Sequence, residues 1–412
     1  MNRRQTVLLT LAILVGIAVM DQITNGTGLY RGYAHFVQLG RTGSGASWDD
    51  TTPRAAKEQA LSGPLAAGQV LTASIPMGSV ELNGVQNATS ADLKCTITVY
   101  ASTEAEARQY LSRVSVKLTP VASGETAGLQ LRVNEPPSRP AAVRGVKVNV
   151  AGTLPSQARV DVRNGYGIVR VAGVSGPSRV NNRYAATIVR DVRGDWNVDA
   201  SYSAVLVAGV QGNLNMAGNY GSADLSDISG NVEIHSNFKQ TNVVNVGGNL
   251  TANLRYGGLT VDGVTGNTNV DSQYVGVAGR NAAGDVRLNA SYGEVRWESI
   301  RKNVRITSRY ADTTLSFVRP ANHRFDVRTR FGSISDHLGL AQVETADRDE
   351  KAVAGRLGEG RYSVAVDGEY ADIQLNDQQD TLPEYTNGGK EYAGIQLNDQ
   401  SSEQTGRGPF VR

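Results

Sequence analysis

The residues that could carry out chemistry are few in this sequence, and their spacing brings almost none of them together. Among 412 residues there are one cysteine and four histidines. Glu233 and His235 stand two apart in a strand-like segment, so their side chains point the same way, but no second acid stands beside them. Asp49 and Asp50 are adjacent carboxylates in a polar segment, where such pairs are ordinarily solvated. These residues predict no catalytic pair.

The other histidines and the cysteine form no metal-binding pattern. His35, His323 and His337 lie in different regions, without the short spacings that zinc sites use. Cys95 alternates with apolar residues in the segment DLKCTITVY, which predicts a buried thiol on a strand. We therefore expect no catalytic residues, no metal site and no cofactor.

The composition indicates many turns and thin cores. There are 46 Gly against six Phe and three Trp. Lys and Arg number 41 and Asp and Glu 39, so the formal net charge is +2. Because nucleic-acid binding depends on clustered positive charge, we expect no nucleic-acid partner.

An aromatic residue recurs at every eighteenth position, and this period must organise the chain. The nine positions are Tyr166, Tyr184, Tyr202, Tyr220, Phe238, Tyr256, Tyr274, Tyr292 and Tyr310. A fixed short period without insertions is typical of a solenoid, in which each repeat stacks on the next. At roughly 4.8 Å per repeat, nine repeats would extend about 40 Å. The sequence predicts a mainly β protein built as a single-stranded β-solenoid, with right-handed coiling favoured.

Other positions of the repeat also hold one type of residue. Counting the aromatic as position zero, positions +5, +8 and +14 are mostly Val, Ile or Leu, which predicts interior columns. Position +10 carries the corner glycines Gly176, Gly194, Gly212, Gly230, Gly248, Gly266 and Gly284, and Asn or Asp usually follows them. This pattern predicts a corner with positive φ and a ladder of side-chain hydrogen bonds along the stacked Asn residues.

The direction of the aromatic rings has two interpretations. In a regular strand, position zero shares its parity with the apolar positions +12 and +14 of the preceding repeat. This parity favours rings that point inward or line a corner. The alternative is an outward strip of rings that stack on sugars.

The beginning of the chain predicts export. Arg3 and Arg4 precede an uncharged apolar run, Thr6 to Met20, which is short for a spanning helix of roughly 20 residues and fits a signal-peptide core. No small-x-small cleavage site follows. Residues 1–24 are therefore either a cleaved signal peptide or an uncleaved anchor, with residues 6–23 in the inner membrane.

The rest of the chain divides by pattern. Residues 25–67 are predicted to be a flexible linker, and 68–160 an α/β N-terminal cap with a Thr103-x-x-Glu106 capping box. Residues 161–318 are the eighteen-residue repeats. Residues 319–378 are irregular C-terminal coils, in which the register resumes at Phe331 and ADRDEKAVAGR is a charged loop. Residues 379–412 are a polar tail with one possible strand at 391–398.

The repeat resembles a known family. Units such as YGSADLSDISGNVEI, preceded by GSVELNG, a helix in TEAEARQYL and VKVNVAGTLPSQARVDVRNGYGIVRV, are similar to the exported bacterial β-strand-repeat proteins called "putative adhesins", a domain of unknown function. The resemblance covers roughly residues 70–378 and departs at Phe238-Lys239. It implies a β-solenoid at the cell envelope and supplies no active-site residues.

These observations favour a non-enzymatic, exported cell-envelope protein. We expect either an adhesin-like scaffold whose flat faces contact a protein or glycan, or a membrane-anchored periplasmic spacer. A polysaccharide-acting enzyme is the weakest alternative, because it needs two close carboxylates. Asp199 and Asp271 share a column but stand four repeats apart, roughly 19 Å.

Overall fold

The computed structural model describes residues 52–122 and 127–378, apart from the side chains of Phe238 and Lys239. The protein is mainly β, with 68% strand and 2% helix, and its strands form a long sheet that does not close. Within the described residues, no helix has the length and apolar character needed to cross a membrane. The predicted signal or anchor (1–24), most of the linker and the tail with its possible strand (391–398) lie outside the described residues.

The N-terminal part contains seven strands and one helix. They are β1 (Arg54–Pro64), β2 (Val70–Met77), β3 (Val80–Val85), β4 (Ser90–Ala101), α1 (Glu104–Leu111), β5 (Ser115–Val121), β6 (Gly128–Asn134) and β7 (Val143–Pro155). Thr103 is confirmed as the N-cap, because its hydroxyl oxygen accepts the Glu106 backbone N–H at 3.3 Å, and the Glu106 carboxylate accepts the Thr103 hydroxyl at 2.8 Å. The predicted linker extended too far. Residues 54–64 form β1, which pairs antiparallel with β4 over its whole length and protects an edge that would otherwise be open.

The repeats contribute two strands each. They are β8 (Arg159–Tyr166), β9 (Val169–Ala172), β10 (Ser178–Tyr184), β11 (Thr187–Arg193), β12 (Trp196–Ser201), β13 (Val205–Gln211), β14 (Leu214–Ile228), β15 (Val232–Val246), β16 (Leu250–Leu254), β17 (Gly257–Val264), β18 (Thr268–Gln273), β19 (Val275–Ala282), β20 (Val286–Ser291), β21 (Val295–Ile300), β22 (Val304–Arg309) and β23 (Thr313–Val318). In the fourth and fifth repeats the two strands are continuous, as β14 and β15.

Each strand from β8 to β21 pairs in parallel with the strand eighteen residues later. Val180 lies beside Val198 in β10 and β12, and Val189 lies beside Val207 in β11 and β13. The strands before each aromatic form one ladder and the strands after it form a second. The register is that of the sequence period, so each residue lies beside its equivalent in the next repeat.

The core lies where the interior columns were predicted. Every residue at positions +5, +8 and +14 of the repeats other than glycine is at most 7% exposed, and both ladders contribute to one hydrophobic cluster. Gly279 is the exception at position +5. A Cβ there would lie 2.3 Å from the Trp297 ring, so the missing side chain in one repeat accommodates the large one in the next.

The C-terminal strands do not follow sequence order. They are β24 (His323–Arg330), β25 (Ile334–Asp336), β26 (Ala341–Val343), β27 (Glu350–Arg356), β28 (Tyr362–Glu369) and β29 (Ile373–Gln378). β28 pairs in parallel with both β22 and β24, and β29 with both β23 and β25. The last repeat therefore lies between the Tyr310 repeat and the Phe331 repeat. The charged segment predicted as a loop is also corrected, because Glu350–Arg356 forms β27 and pairs antiparallel with β24.

We predict that the Cys95 thiol is unreactive in the folded protein. Its side chain is fully buried, and burial raises the pKa of the thiol to about 11, so little thiolate exists near neutral pH. A thiol reagent such as dithionitrobenzoate should label the native chain hardly at all and the guanidinium-unfolded chain completely. Rapid labelling of the native chain would contradict this placement.

We also predict that acid destabilises the C-terminal repeats through His323. The ring is 2% exposed, packs against Phe317 and Tyr362 and contacts the Lys302 carbonyl at 3.2 Å. Burial lowers the pKa of His323 below its usual 6.5. Because the unfolded chain binds the proton more readily, stability is full above about pH 6.5 and falls below it.

The measurement is the free energy of unfolding between neutral and mildly acidic pH. His323→Leu should lose part of the wild-type acid sensitivity, and His337→Gln controls for removing a histidine from the same part of the chain. If His323→Leu retained the full wild-type acid sensitivity, His323 would not be the responsible group.

Candidate functional site: a stacked aromatic ladder

The aromatic residues form two runs of stacked rings. In the first, the centroids of Tyr166, Tyr184, Tyr202 and Tyr220 follow one another at 4.6, 5.2 and 4.8 Å. In the second, Tyr256, Tyr274, Tyr292, Tyr310, Tyr370 and Phe331 follow at 5.3, 4.8, 5.1, 4.7 and 4.7 Å. The angle between the planes of neighbouring rings is 4–17°. The side chain of Phe238, between the runs, lies outside the described part. We call these ten described rings the aromatic ladder.

The aromatic ladder faces solvent, which corrects the expectation of inward rings. Eight of its rings, all but Tyr184 and Tyr256, are 42–51% exposed. The inward–outward alternation of side chains along the strand stops at the aromatic residue. Tyr202, for example, has φ 53° and so leaves the extended conformation. The next residue points inward instead, as Ser203 and Ala311 are 5% and 1% exposed.

The backbone at the aromatic ladder is unusual for large side chains. Six tyrosines have φ between 52° and 58°, and Phe331 has 61°. The six are Tyr202, Tyr220, Tyr274, Tyr292, Tyr310 and Tyr370. Residues other than glycine, asparagine and aspartate seldom adopt this left-handed conformation, which costs about 1 kcal/mol or more per residue. A stacked aromatic pair contributes about 0.5–1.5 kcal/mol. The two effects nearly cancel, so the stacks alone give little reason to retain aromatics at this corner.

The stacking also decides what the aromatic ladder can bind. Every interior ring has a neighbour on each face at about 5 Å, so its faces are covered. Stacking of a base or sugar requires a free ring face. The aromatic ladder therefore offers ring edges and a row of phenolic hydroxyls, and it does not offer a platform for sugars.

A few charged residues lie next to the aromatic ladder. On one side, the Arg183 guanidinium lies 5.7 Å from the Tyr184 ring centroid and Arg330 lies 5.0 Å from that of Phe331. On the other side, Asp372 accepts the backbone N–H and the hydroxyl of Ser333, both at 2.7 Å. The hydroxyl and the backbone N–H of Ser333 lower the pKa of Asp372, which keeps this corner negatively charged at neutral pH.

The corner glycines lie on a second edge, where space and not positive φ is the main requirement. Among them only Gly194 and Gly212 have positive φ, which corrects the general expectation. A Cβ on Gly230 or Gly284 would lie 2.5 or 2.3 Å from a carbonyl oxygen of the preceding repeat. Only glycine permits this approach.

The residues after the corner glycines form a hydrogen-bonded ladder. The Asn213, Asn231 and Asn249 side-chain oxygens each accept the backbone N–H of the equivalent residue in the next repeat at 2.8 Å. At the start of the series the Asp195 carboxylate accepts the Asn213 backbone N–H at 2.9 Å. At its other end the Asn267 side-chain oxygen accepts the Asp285 backbone N–H at 3.0 Å. In each of these bonds a backbone N–H donates to a side-chain oxygen, and the bonds join the repeats along this edge.

Sequence reasoning missed a third corner. Position +7 has positive φ in eight repeats, at Gly173, Asp191, Gly209, Asp227, Asn245, Gly263, Asn281 and Ser299. The signal was present, because Gly, Asp and Asn are the residues that most readily adopt this conformation.

The other chemically capable residues are dispersed. Glu233 and His235 contact at 2.9 Å on an exposed surface. Asp199 and Asp271 are bonded to separate asparagines at 3.0 and 2.6 Å. Within residues 52–122 and 127–378, no three His, Cys, Asp or Glu side chains converge as metal ligands. His35, Asp49 and Asp50 lie outside the described part.

Comparisons with known proteins assign no family. No protein-family model and no curated protein matches the sequence. A crystal structure of a "putative cell adhesion protein" from Clostridium sporogenes matches with 11% identity and a TM-score of 0.18, over 79% of this chain and all of that one. A "putative adhesin" from Bacteroides fragilis matches with 9% identity and a TM-score of 0.23, over 78% of this chain and 97% of that one. These scores support no inference about function.

We predict that Gly212→Val destabilises the fold far more than Asn215→Ala does. A Cβ at Gly212, where φ is 157°, would lie 2.2 Å from the Gly194 carbonyl oxygen, whereas Asn215 is exposed. The expected losses are about 3 kcal/mol or more and about 0.5 kcal/mol or less, measured by urea unfolding. Equal melting temperatures for the two variants would contradict the repeat register.

Proposed function

We propose that this chain is a non-enzymatic, exported β-solenoid scaffold of the cell envelope, and that the aromatic ladder is its contact surface for a protein or glycan partner. Parallel pairing at an eighteen-residue offset supports the solenoid, because it repeats along two ladders of strands. The aromatic ladder carries the functional part of the proposal.

The energetics of the corner favour a role in binding. Aromatic residues occupy a corner that glycine or asparagine would occupy with less strain, and their stacking roughly offsets that strain. Exposed tyrosine is also well suited to interfaces, because it combines a large apolar area with one hydroxyl and little loss of conformational freedom. Repetition at about 5 Å multiplies a weak contact along the chain.

The mode of contact follows from the covered ring faces. A partner must approach the ring edges and hydroxyls from the side, with apolar groups and hydrogen-bonding groups alternating along its length. A protein surface satisfies this directly, and a glycan would do so through its hydroxyls. The charged residues beside the aromatic ladder include Arg183, Arg330 and Asp372, so a partner that carries both charges suits this surface.

The proposed location depends on residues 1–24. The apolar run ends at Met20, where a small residue is needed for cleavage. This favours a second candidate, a scaffold that stays anchored beside the inner membrane. Mass spectrometry of the mature N-terminus separates the two. A peptide beginning at Met1 or Asn2 supports the anchored form, and a later start supports the released form.

We predict that a photoreactive phenylalanine analogue at Tyr292 captures a discrete partner in the intact envelope. The matched control places the analogue at Asn215, which is exposed on β14 and is not part of the aromatic ladder. An adduct from position 292 and none from 215 is the expected result. Equal adducts at both positions, or none at Tyr274, Tyr292 and Tyr310 alike, would overturn the proposed contact surface. New reducing or unsaturated ends after incubation with acidic polysaccharides would instead reveal an enzyme.

A further inference from the structure

The aromatic ladder holds the phenol rings of successive tyrosines close enough to react with one another. Tyrosine rings that are eighteen residues apart in sequence lie parallel, with centroids 4.6–5.3 Å apart. Most of these rings are nearly half exposed, so a one-electron oxidant can reach their edges. Tyr100 and Tyr110 are buried, at 7% and 3%, and are shielded from the same oxidant.

We propose that the aromatic ladder is a site of oxidative cross-linking, in which neighbouring tyrosines couple to dityrosine and join successive repeats covalently. The oxidant is a one-electron oxidant, such as a peroxidase with hydrogen peroxide. Two phenols each lose one electron and one proton, which reduces one hydrogen peroxide to two water molecules. The two phenoxyl radicals form a carbon–carbon bond between their ortho carbons, and each ortho hydrogen then moves to the phenolic oxygen.

The stacked geometry favours this coupling over other outcomes. Unpaired electron density at the ortho carbons lies above and below each ring plane, and the face of each ring meets the face of its neighbour. The partners are therefore already oriented, and holding two reactants in contact replaces a slow encounter between separate molecules. A radical formed on one tyrosine has a second phenol beside it in the same run, and when that phenol also loses one electron and one proton the two radicals form in contact.

The sequence limits which pairs can couple. Phe238 and Phe331 lack a hydroxyl and cannot form a phenoxyl radical, so coupling is confined to two runs. The first run has four tyrosines and yields at most two pairs. The second, from Tyr256 to Tyr370, has five tyrosines and also yields at most two pairs. Pairwise coupling therefore gives at most four cross-links, each with the loss of two hydrogen atoms.

The experiment oxidises the purified full-length chain with a photo-excited ruthenium complex and persulfate, a one-electron oxidant that also works in denaturant. The expected products are monomeric chains with dityrosine fluorescence, masses lower by two hydrogens per link, and joined peptides such as Tyr274–Tyr292. In the unfolded chain, adjacent-repeat links should lose their predominance. Links between non-adjacent tyrosines in the folded chain, or the same pattern folded and unfolded, would overturn the proposal.

A variant tests the assignment without disturbing the fold. Tyr292→Phe keeps the ring, as Phe331 does at a ring-to-ring distance of 4.7 Å and a φ of 61°, but removes the hydroxyl. The Tyr274–Tyr292 and Tyr292–Tyr310 links should disappear, while the Tyr256–Tyr274 and Tyr310–Tyr370 links persist. Tyr362→Phe, which lies outside the aromatic ladder, should change none of these links. The assignment would be contradicted if Tyr362→Phe lost the ladder links, or if Tyr292→Phe still formed links at position 292.

Discussion

Parallel hydrogen bonding between strands eighteen residues apart is the constraint on which the rest of this structure depends. It places every side chain beside its equivalent at roughly 4.8 Å, so each column must tolerate its own repetition. Valine does so by packing, tyrosine by stacking and asparagine by hydrogen bonding. Several polar columns pair an amide or a cation with a carboxylate: Asn181 bonds Asp199, Asn242 bonds Asp224, and Arg280 bonds Asp262. Arg287 lies beside Arg305, so like charges also occur in register.

The same parallel pairing leaves the first and last strand of each ladder with an open edge, where backbone N–H and C=O groups have no strand to pair with. The chain resolves it with antiparallel strands at three of the four ends of the two ladders. β4 and β1 extend from β7, β5 covers β6, and β27 with β26 covers β24. Antiparallel strands interrupt the eighteen-residue register, so a further repeat cannot be added there. Among the described strands, β25 pairs with β29 alone, and nearby Leu338 is buried where the core would otherwise end.

A feature of this fold could be predicted from the sequence when it recurs in every eighteen-residue repeat, and not when it occurs once. The interior columns and the corner glycines could be predicted, because the period displays them many times. The position of the Tyr370 repeat could not, since its offsets of 60 residues from Tyr310 and 39 from Phe331 occur once each. β1 was missed because RAAKEQALSGP has little apolar character, and its strand state depends on the long edge of β4.

The orientation of the aromatic ladder could not be predicted for a different reason. Parity assumes that the strand stays extended through the aromatic, and a tyrosine gives no local signal that it will adopt positive φ. The residue type argues against that conformation. Only the neighbouring repeats make it acceptable, because each interior ring gains a stacking partner on both faces. The aromatic ladder is thus a collective property: one tyrosine at this corner would be strained, whereas a row of them nearly offsets the strain and presents edges and hydroxyls to solvent. The strain at each ring is therefore offset by contacts that exist only because the corner repeats.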